Sequence, residues 1–306
     1  MRGISWHRQQ GSADPLLKRM LAERGLDNVP QWTKKDDVRM RANRRWTALA
    51  HERDGTVANQ RCNIANVAKK TAEIKEQAIA LGADQVGCCA LSPIMIDQGY
   101  DMPHKNVISI IMREDYANVL EGSRAIKAET YTVYVRLAEI ATELASRIRA
   151  MGFPAWAHHN GVTQIQAIPT MHHCGIGELG RHGSLINPEF SANFRPSFVT
   201  TDLPLVSDAP LEFGVQEYCE ACNLCRNNCP GDAIATDHIM TEGVKRWRIE
   251  MEKCYPYSRL HEAYCHICVD VCPYVYKASG DREKREIFKT YMKQRKEDGY
   301  RSPNRL

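Results

Sequence analysis

Residues 219–230 read CEACNLCRNNCP, a run of four cysteines that ends in Cys-Pro and decides how the last third of the chain folds. A second run, CHICVDVCP, follows at residues 265–273, and Cys254 stands alone upstream of it. The spacing C-x2-C-x2-C-x3-C-P is that of bacterial ferredoxins, in which three thiolates bind one iron–sulfur cluster and the fourth binds the other. The two runs therefore predict two [4Fe-4S] clusters and a protein that handles single electrons.

The eight cysteines divide into two predicted sets of four ligands. The first set takes three thiolates from the first run and one from the end of the second: Cys219, Cys222, Cys225 and Cys272. In the second set, Cys254 replaces the cysteine that the second run lacks: Cys229, Cys254, Cys265 and Cys268. Structural zinc also uses CxxC pairs, but rarely with a third cysteine two residues on or with a final Cys-Pro. Disulfides are a poorer alternative, because nothing in the sequence indicates export to an oxidising compartment.

Length and composition narrow the class of protein. The chain of 306 residues is 43% apolar and 25% charged, which is typical of globular proteins and suggests about two domains. The net charge of +4 is too small to imply a nucleic-acid partner. The N-terminal residues lack the apolar segment of a secretory signal, and no stretch is apolar enough to span a membrane. These features predict a cytoplasmic protein with no membrane partner.

Hydrophobic periodicity predicts an α/β (α+β) core. Apolar residues recur at helical spacing over 64–81 and 129–151, and a glycine follows each stretch. Strands are predicted at 84–91, 106–112, 153–158 and 165–168, and their poor alternation indicates a sheet covered on both faces. Residues 175–210 are rich in Gly, Pro, Asn and Ser and are predicted to form a functional loop. The predicted organisation is an N-terminal extension at 1–60 that wraps the core, a core at 61–210, a cluster domain at 211–280 and a charged C-terminal helix and tail at 281–306.

Residues 174–234 resemble a known family. They read CGIGELGRHG, then LINPEF, TTDLPLV, DAP and EFGV before the first cysteine run. This combination resembles the core of the cobalamin-dependent reductive dehalogenases, to which the epoxyqueuosine reductases are related. The stretches KKTAEIKEQAIALGADQVGCCAL and YVRLAEIATELASRIRAMGFPAW extend the resemblance upstream, so that it covers about Cys62 to Pro273. It implies a nitroreductase-like core that holds a corrinoid, with a ferredoxin-like domain of two clusters beside it.

The resemblance implies catalytic roles for Tyr134, Asn160 and Arg195. A phenol has a pKa near ~10, and a nearby guanidinium favours the phenolate, so Tyr134 is predicted to donate a proton while Arg195 stabilises the resulting charge. Asn160 is predicted to orient the phenol or a leaving halide. Without the resemblance, Tyr134 would be predicted as a core residue, Arg195 as an ion-pair residue and Asn160 as part of a turn.

The resemblance also implies a corrinoid site around the glycine run. Gly175, Gly177 and Gly180 are predicted to let the backbone approach a flat macrocycle closely. They match G-x-G-x-x-G, but the strand before and the acidic residue after that a dinucleotide loop requires are missing. Two pairs of adjacent histidines, His158–His159 and His172–His173, offer metal ligands, proton donors or pocket walls, and His172 and His173 are predicted at the cofactor.

The predicted function is that of a reductive dehalogenase-like oxidoreductase. Electrons pass through two clusters to cobalamin, and halide is removed from a halogenated small molecule with Tyr134 as proton donor. No flavin or ferredoxin-reductase segment is fused to the chain, so an external ferredoxin or flavodoxin is expected as electron donor. Two alternatives stay open: an epoxyqueuosine reductase-like enzyme acting on tRNA, which the modest charge disfavours, and a non-catalytic iron–sulfur electron-transfer protein.

Overall fold

A four-stranded antiparallel sheet forms the centre of the protein. The computed structural model describes residues 37–97, 99–241, 244–258 and 265–300, together with residues 19, 20, 22 and 23. The sheet strands are β1 (Gln85–Ala90), β2 (Asn106–Arg113), β3 (Ala155–His158) and β6 (Phe194–Thr201), and a small hairpin of β4 (Glu178–Leu179) and β5 (Leu185–Ile186) precedes β6. The strand order is β1-β2-β6-β3, and each neighbouring pair runs antiparallel.

Helices cover both faces of this sheet, as the poor alternation of its strands predicts. The helices before the cysteine runs are α1 (Asp37–Ala50), α2 (Val67–Ala80), α3 (Ser123–Ala150) and α4 (Ala167–His173). α2 and α3 pack against Ile108 and Ile110 on one face, whereas Met171 of α4 packs against Val107 and Ile111 on the other. α1 lies on the outer side of α3, where Trp46 is buried.

Glycines end two of the predicted helices and allow one close contact. Gly82 follows α2 with φ +110° and Gly152 follows α3 with φ +84°, a conformation that favours glycine. A Cβ at Gly87 in β1 would lie 2.0 Å from the carbonyl oxygen of Cys174. The end of α4 therefore packs on β1 at a distance that only glycine permits.

The predicted loop at 175–210 is wrong, because it contains β6, an inner strand of the sheet. β6 pairs with β2 on one side and β3 on the other, although its sequence, FRPSFVTT, contains proline and three hydroxyl residues. Two of its buried hydroxyls find acceptors, since Ser197 donates to Leu137 O at 3.1 Å and Thr201 donates to Pro154 O at 2.8 Å. Buried polar side chains that are bonded in this way hide a strand from a hydrophobicity pattern.

The strand predicted at 165–168 is also wrong. Ile165 forms an isolated bridge with Ile96, and the chain turns into α4 at Ala167. A short apolar run does not distinguish a strand from a buried helix by periodicity alone.

The cysteine-rich region consists of short helices and one hairpin packed on the core. Its elements are α5 (Val215–Ala221), α6 (Leu224–Asn227), β7 (Ile234–Thr241), β8 (Val244–Ile249), α7 (Met251–Ser258), α8 (Ile267–Asp270), α9 (Tyr274–Lys277) and α10 (Arg282–Glu297). Ile267 and Phe288 share a hydrophobic cluster with Tyr116, and Val215 and Trp247 share another with the core. The ferredoxin-like description of this region stays a prediction, as do the predicted domain limits.

The predicted C-terminal helix is confirmed as α10, which begins after Asp281. The Asp281 carboxylate accepts a hydrogen bond from Lys284 N at 3.0 Å and so caps the first turn. Residues 1–18 of the predicted extension and the predicted tail at 301–306 lie outside the described residues. Within the described part of the chain, no helix combines the length and the apolar character needed to cross a bilayer.

Candidate functional site

The eight cysteine thiols fall into two neighbourhoods. Burial raises the pKa of the Cys225 thiol, and the neighbouring thiols of Cys272, Cys219 and Cys222 raise it further. Burial also raises the pKa of Cys265 to about 12, and here the neighbours that add to the effect include Cys254 and Cys229. These two groups match the two predicted ligand sets.

Cys268 belongs to the second neighbourhood and borders the first. The thiols that raise its pKa, after burial, are those of Cys265, Cys254, Cys225 and Cys229. Two neighbouring groups of buried and partly buried thiols fit the donor chemistry of two adjacent iron–sulfur clusters. Among the described residues, no three His, Cys, Asp or Glu side chains converge as the ligands of a single metal ion do. The assignment of each ligand stays a prediction.

Glu178 holds the start of the helix that carries Cys219. Its buried carboxylate accepts hydrogen bonds from the backbone N–H groups of Phe213 at 2.7 Å, Val215 at 3.1 Å and Gln216 at 3.1 Å. These are N–H groups at the beginning of α5, where a helix has unpaired donors and favours negative charge. The Glu in the glycine run therefore fixes the first cysteine run in place.

Arg181 fixes the same segment from its other end. Its guanidinium donates to Cys219 O from Nε at 3.0 Å and from Nη2 at 2.7 Å, and the side chain is 3% exposed. The guanidinium carbon also lies 4.7 Å from the centroid of the Trp247 ring. Glu178 and Arg181 thus join the glycine run to the first cysteine run by hydrogen bonds that sequence reasoning did not foresee.

The structure brings Tyr134 and Arg195 together. Tyr134 lies on α3, and the guanidinium carbon of Arg195, near the start of β6, is 5.8 Å from the centroid of its ring. Thr130 is one helical turn earlier on the same face of α3, and Arg195 Nη2 is 3.4 Å from its hydroxyl oxygen. The Arg195 guanidinium thus lies near the Tyr134 ring, and the role of Tyr134 as proton donor stays a prediction.

Arg195 belongs to a buried chain of polar groups. Its Nε donates to Glu114 Oε1 at 3.0 Å, and Thr130 Oγ1 donates to the same oxygen at 2.5 Å. On its other side, Arg195 Nη2 lies 2.7 Å from His266 Nε2, and His266 Nδ1 lies 2.8 Å from Asp270 Oδ1. In the sequence, His266 lies between two predicted cluster ligands, Cys265 and Cys268. This network of hydrogen bonds therefore connects the second cysteine run with the neighbourhood of Tyr134.

Glu114 is the charged partner of Arg195 inside the protein. Burial by itself would raise the pKa of Glu114, but the Arg195 charge and the hydrogen bonds from Arg195 and Thr130 outweigh it and hold the pKa below its usual range. A small, shallow pocket opens beside the carboxylate. Its polar lining comprises Glu114, Asp115, Asn118, Glu129, Asn193, His266 and Asp270.

Asn160 lies apart from the hydrogen-bonded groups around Arg195, on the turn that follows β3. Its side chain is exposed, and the next residue, Gly161, approaches α1 so closely that a Cβ there would lie 2.6 Å from Trp46 O. Trp46 also belongs to the hydrophobic cluster against which Tyr134 packs. α1 therefore contacts both Tyr134 and the turn with Asn160, and the role of Asn160 stays a prediction.

The glycines predicted at the corrinoid are packed against protein. A Cβ would lie 2.6 Å from Ala209 O at Gly175 and 2.4 Å from Ile186 O at Gly177. At Gly180 it would lie 2.9 Å from the Ile186 side chain. The chain fills the space at these Cβ positions, so the lack of a side chain serves protein packing there, and the role of the three glycines at the corrinoid stays a prediction.

The predicted cofactor histidines, His172 and His173, end α4 on the face of the sheet away from α3. Burial lowers the pKa of both imidazoles, and His172 Nδ1 is buried without a hydrogen-bond partner among the described residues. The other pair lies elsewhere: His158 Nε2 is 2.9 Å from Thr200 Oγ1, and burial lowers the pKa of His159 to about 4. The predicted role of His172 and His173 at the cofactor stays a prediction.

Sequence reasoning missed Glu114, His266 and Asp270. Glu114 follows an apolar strand as an ordinary charged residue, and no spacing in the sequence relates it to Arg195, 81 residues later. His266 had a weak signal, because it lies inside the C-x2-C spacing of the second run. Only the folded chain places the three side chains around one guanidinium.

Comparison with known proteins finds similarity to two kinds of reductase. Tetrachloroethene reductive dehalogenase of Sulfurospirillum multivorans is 35% identical over 194 residues, which cover 60% of this chain and 38% of that enzyme. An epoxyqueuosine reductase of Cyclobacterium marinum is 31% identical over 107 residues, which cover 33% of this chain and 34% of that enzyme. No family model matches the chain.

Solved structures give the same relation. A catabolic reductive dehalogenase superposes with a TM-score of 0.72 at 26% identity, covering 83% of this chain and 39% of that protein. A second reductive dehalogenase, whose structure suggests a mechanism for B12-dependent dehalogenation, matches with a TM-score of 0.70 at 24% identity, covering 85% of this chain and 41% of that protein. The chain thus spans about two fifths of the length of the reductive dehalogenases that it matches. The predicted α/β core with the fold of these enzymes is confirmed, and the chain is a homologue of the reductive dehalogenases and a more distant relative of the epoxyqueuosine reductases.

Proposed function

We propose that the chain is an oxidoreductase of the reductive dehalogenase type, which replaces a carbon–halogen bond of a small organic molecule by a carbon–hydrogen bond. The reaction consumes two electrons and one proton and releases one halide ion. The observation that carries this proposal is the Arg195 guanidinium beside the Tyr134 ring, at 5.8 Å, in a chain homologous to these enzymes. The substrate is a halogenated small molecule, and an external ferredoxin or flavodoxin supplies the electrons.

In this proposal, Tyr134 gives its hydroxyl proton to the carbon that loses the halide. Arg195 then stabilises the phenolate that remains, because a cation close to a phenol favours its charged form. The Arg195 guanidinium is held by Glu114 on one side, so its position does not depend on substrate. Asn160, on the exposed turn after β3, orients the substrate or the leaving halide.

The two groups of thiols support electron delivery by two [4Fe-4S] clusters. When bound, these clusters would store and pass single electrons at low potential, held by the two predicted sets of four cysteines. A corrinoid is part of the proposal through the relationship with the B12-dependent enzymes. Gly175 and Gly177, the predicted residues of its site, have protein backbone at their Cβ positions, and their role at the corrinoid is part of the proposal.

The test compares two tyrosines of α3. Anaerobically reconstituted protein is supplied with cobalamin and a chemical reductant, and halide release from tetrachloroethene and from a brominated phenol is measured. Tyr134→Phe should lower the rate by about 10²-fold or more, since a positioned general acid contributes about 10²–10⁴-fold. Tyr131→Phe is the matched control, because Tyr131 lies on the same helix and packs on Trp46, with ring centroids 5.7 Å apart.

The outcomes separate the alternatives. Halide release that survives Tyr134→Phe unchanged removes the phenol from the mechanism. Corrinoid retention with salt-dependent tRNA binding and no halide release would favour the epoxyqueuosine reductase alternative. Full iron content without corrinoid retention, measured by cobalt analysis and absorption, would favour an electron-transfer protein.

A further inference from the structure

We propose that His266 is a positioning residue that holds Arg195 beside Tyr134 and makes the geometry of that pair depend on the second cysteine run. The proposal rests on the function proposed above, since it concerns the proton donor of that reaction. His266 Nε2 lies 2.7 Å from Arg195 Nη2, and both side chains are largely buried, at 10% and 14% exposure. Three further groups complete the arrangement: Asp270, Glu114 and Thr130.

The chemistry of each side chain determines which group donates and which accepts in the hydrogen bonds among Arg195, His266 and Asp270. A guanidinium has only N–H donors and no lone pair to offer, so His266 Nε2 must be the acceptor of the bond with Arg195. His266 Nδ1 then carries the ring proton and donates it to Asp270 Oδ1 at 2.8 Å. Asp270 therefore selects the imidazole tautomer that can receive Arg195, as the partner of one ring nitrogen determines the state of the other.

Arg195 is held through two of its three guanidinium nitrogens. Glu114 accepts from Nε at 3.0 Å, and His266 accepts from Nη2 at 2.7 Å. A planar guanidinium bonded through two different nitrogens cannot rotate about its own axis without breaking one of the bonds. The ring of Tyr134, 5.8 Å away, faces a cation whose direction is set by both acceptors. If one acceptor is removed, the positive charge of Arg195 stays near Tyr134, but the guanidinium plane is free to rotate.

His266, one of the two acceptors of Arg195, belongs to the second cysteine run, which carries predicted cluster ligands. His266 lies between Cys265 and Cys268 and precedes α8, whose N–H groups at Val269 and Asp270 bond to the His266 carbonyl at 3.0 and 3.2 Å. Thiolates bound to a cluster on both sides of His266 would fix the backbone from which its ring projects. The site of proton donation would then be correctly formed only when that cluster is in place.

The experiment is a double-mutant cycle in which the measured quantity is the rate of iron release from the protein. Reconstituted protein is mixed anaerobically with an iron chelator, and the release rate is measured for His266→Phe, Arg195→Met and the double variant. If the two side chains act as one unit, the double variant should release iron no faster than the faster single variant. Arg113→Met is the matched control, because Arg113 precedes Glu114 in sequence but pairs with Asp84 at 3.2 Å instead. Because Arg113 does not contact His266 in this network, the fold-changes in iron-release rate caused by Arg113→Met and by His266→Phe should multiply when the two substitutions are combined.

A second readout uses the conservative variant His266→Gln. The glutamine oxygen can accept from Arg195 while its amide donates to Asp270. We expect His266→Phe to lower kcat by about 10²-fold with KM changed by less than about threefold, as for a misplaced catalytic group, and His266→Gln to restore most of the loss. Multiplicative effects of Arg195→Met and His266→Phe on iron release, or equal kcat for the Phe and Gln variants, would overturn the proposal. Because the iron-release cycle needs no turnover, it decides the coupling even if the protein releases no halide from any substrate.

Discussion

Replacing Glu178 by Gln should loosen the first cysteine run while leaving the sheet intact. The carboxylate accepts three backbone N–H groups, with Oε2 receiving those of Phe213 and Val215 and Oε1 receiving that of Gln216. A glutamine amide has one acceptor oxygen, so it can keep the first two bonds in weaker, neutral form. Its NH₂ group then faces Gln216 N–H, which is left without an acceptor at the start of α5.

The size of the effect follows from these three bonds. A hydrogen bond to a charged group contributes about 1.5–3 kcal/mol and a neutral one about 0.5–1.5 kcal/mol, and an unsatisfied buried donor costs about 1–3 kcal/mol. At the lower end of these ranges, the weakening of two bonds and the loss of the third together cost about 3 kcal/mol for the local structure. This corresponds to an opening equilibrium about 10²-fold more favourable, since each 1.36 kcal/mol is about tenfold.

Hydrogen exchange measured by mass spectrometry on reconstituted protein would test this expectation. Peptides that cover residues 213–222 should exchange about 10²-fold faster in Glu178→Gln, whereas peptides from β2 and β6 should not change. Glu189→Gln is the control, because Glu189 is an exposed glutamate in the same part of the sequence. Equal protection of residues 213–222 in the two variants would refute the role of Glu178 as the anchor of α5.

Two further predictions concern single residues. Cys254→Ala should remove one cluster and spare the other, so that bound iron falls by about half and the electron paramagnetic resonance signal of one reduced cluster remains; loss of both clusters or of neither would contradict the ligand assignment. Burial raises the pKa of Asp97 to about 6, and its carboxylate has no hydrogen-bond partner among the described residues. Because the folded pKa is higher than the unfolded one, this carboxyl lowers stability as pH rises from about 4 to about 6. Asp97→Asn should therefore stabilise the protein by about 1–2 kcal/mol at pH 8, after discount for solvent screening, and by less at pH 5.5, as measured by denaturant unfolding; a gain that does not depend on pH would contradict this reasoning.

Local patterns predicted much of the core. The helices α2 and α3 and the strands β1, β2 and β3 appear where apolar periodicity and glycine placed them, within a few residues at their ends. α3 begins at Ser123, six residues before its predicted start, because its first turns carry few apolar side chains. β6 was missed for a related reason: its buried Ser197 and Thr201 satisfy their hydroxyls within the fold, which sequence alone does not show.

In the candidate site too, sequence reasoning predicted some of the residues that lie together and missed others. The Tyr134–Arg195 pair, predicted from family resemblance, does lie together, but Glu114 and His266 could not be predicted as its partners. Gly175 and Gly177, predicted at the corrinoid, have the backbone of neighbouring segments at their Cβ positions, and their role at the cofactor stays a prediction. A sequence shows that a small residue is needed without showing what occupies the space beside it.

By itself, the sequence determined the chemistry that this chain can support. The spacing of CEACNLCRNNCP and CHICVDVCP defines seven thiols suited to two clusters, which Cys254 completes to eight, because ligand spacing within a short run is a local property of the chain. Only the tertiary structure decided how that chemistry is connected. Glu178 and Arg181 hold the first run, and His266 joins the second run to Arg195, through contacts between residues 35 to 71 positions apart. Such contacts depend on how the sheet, its helices and the cysteine region pack, and no local pattern encodes them.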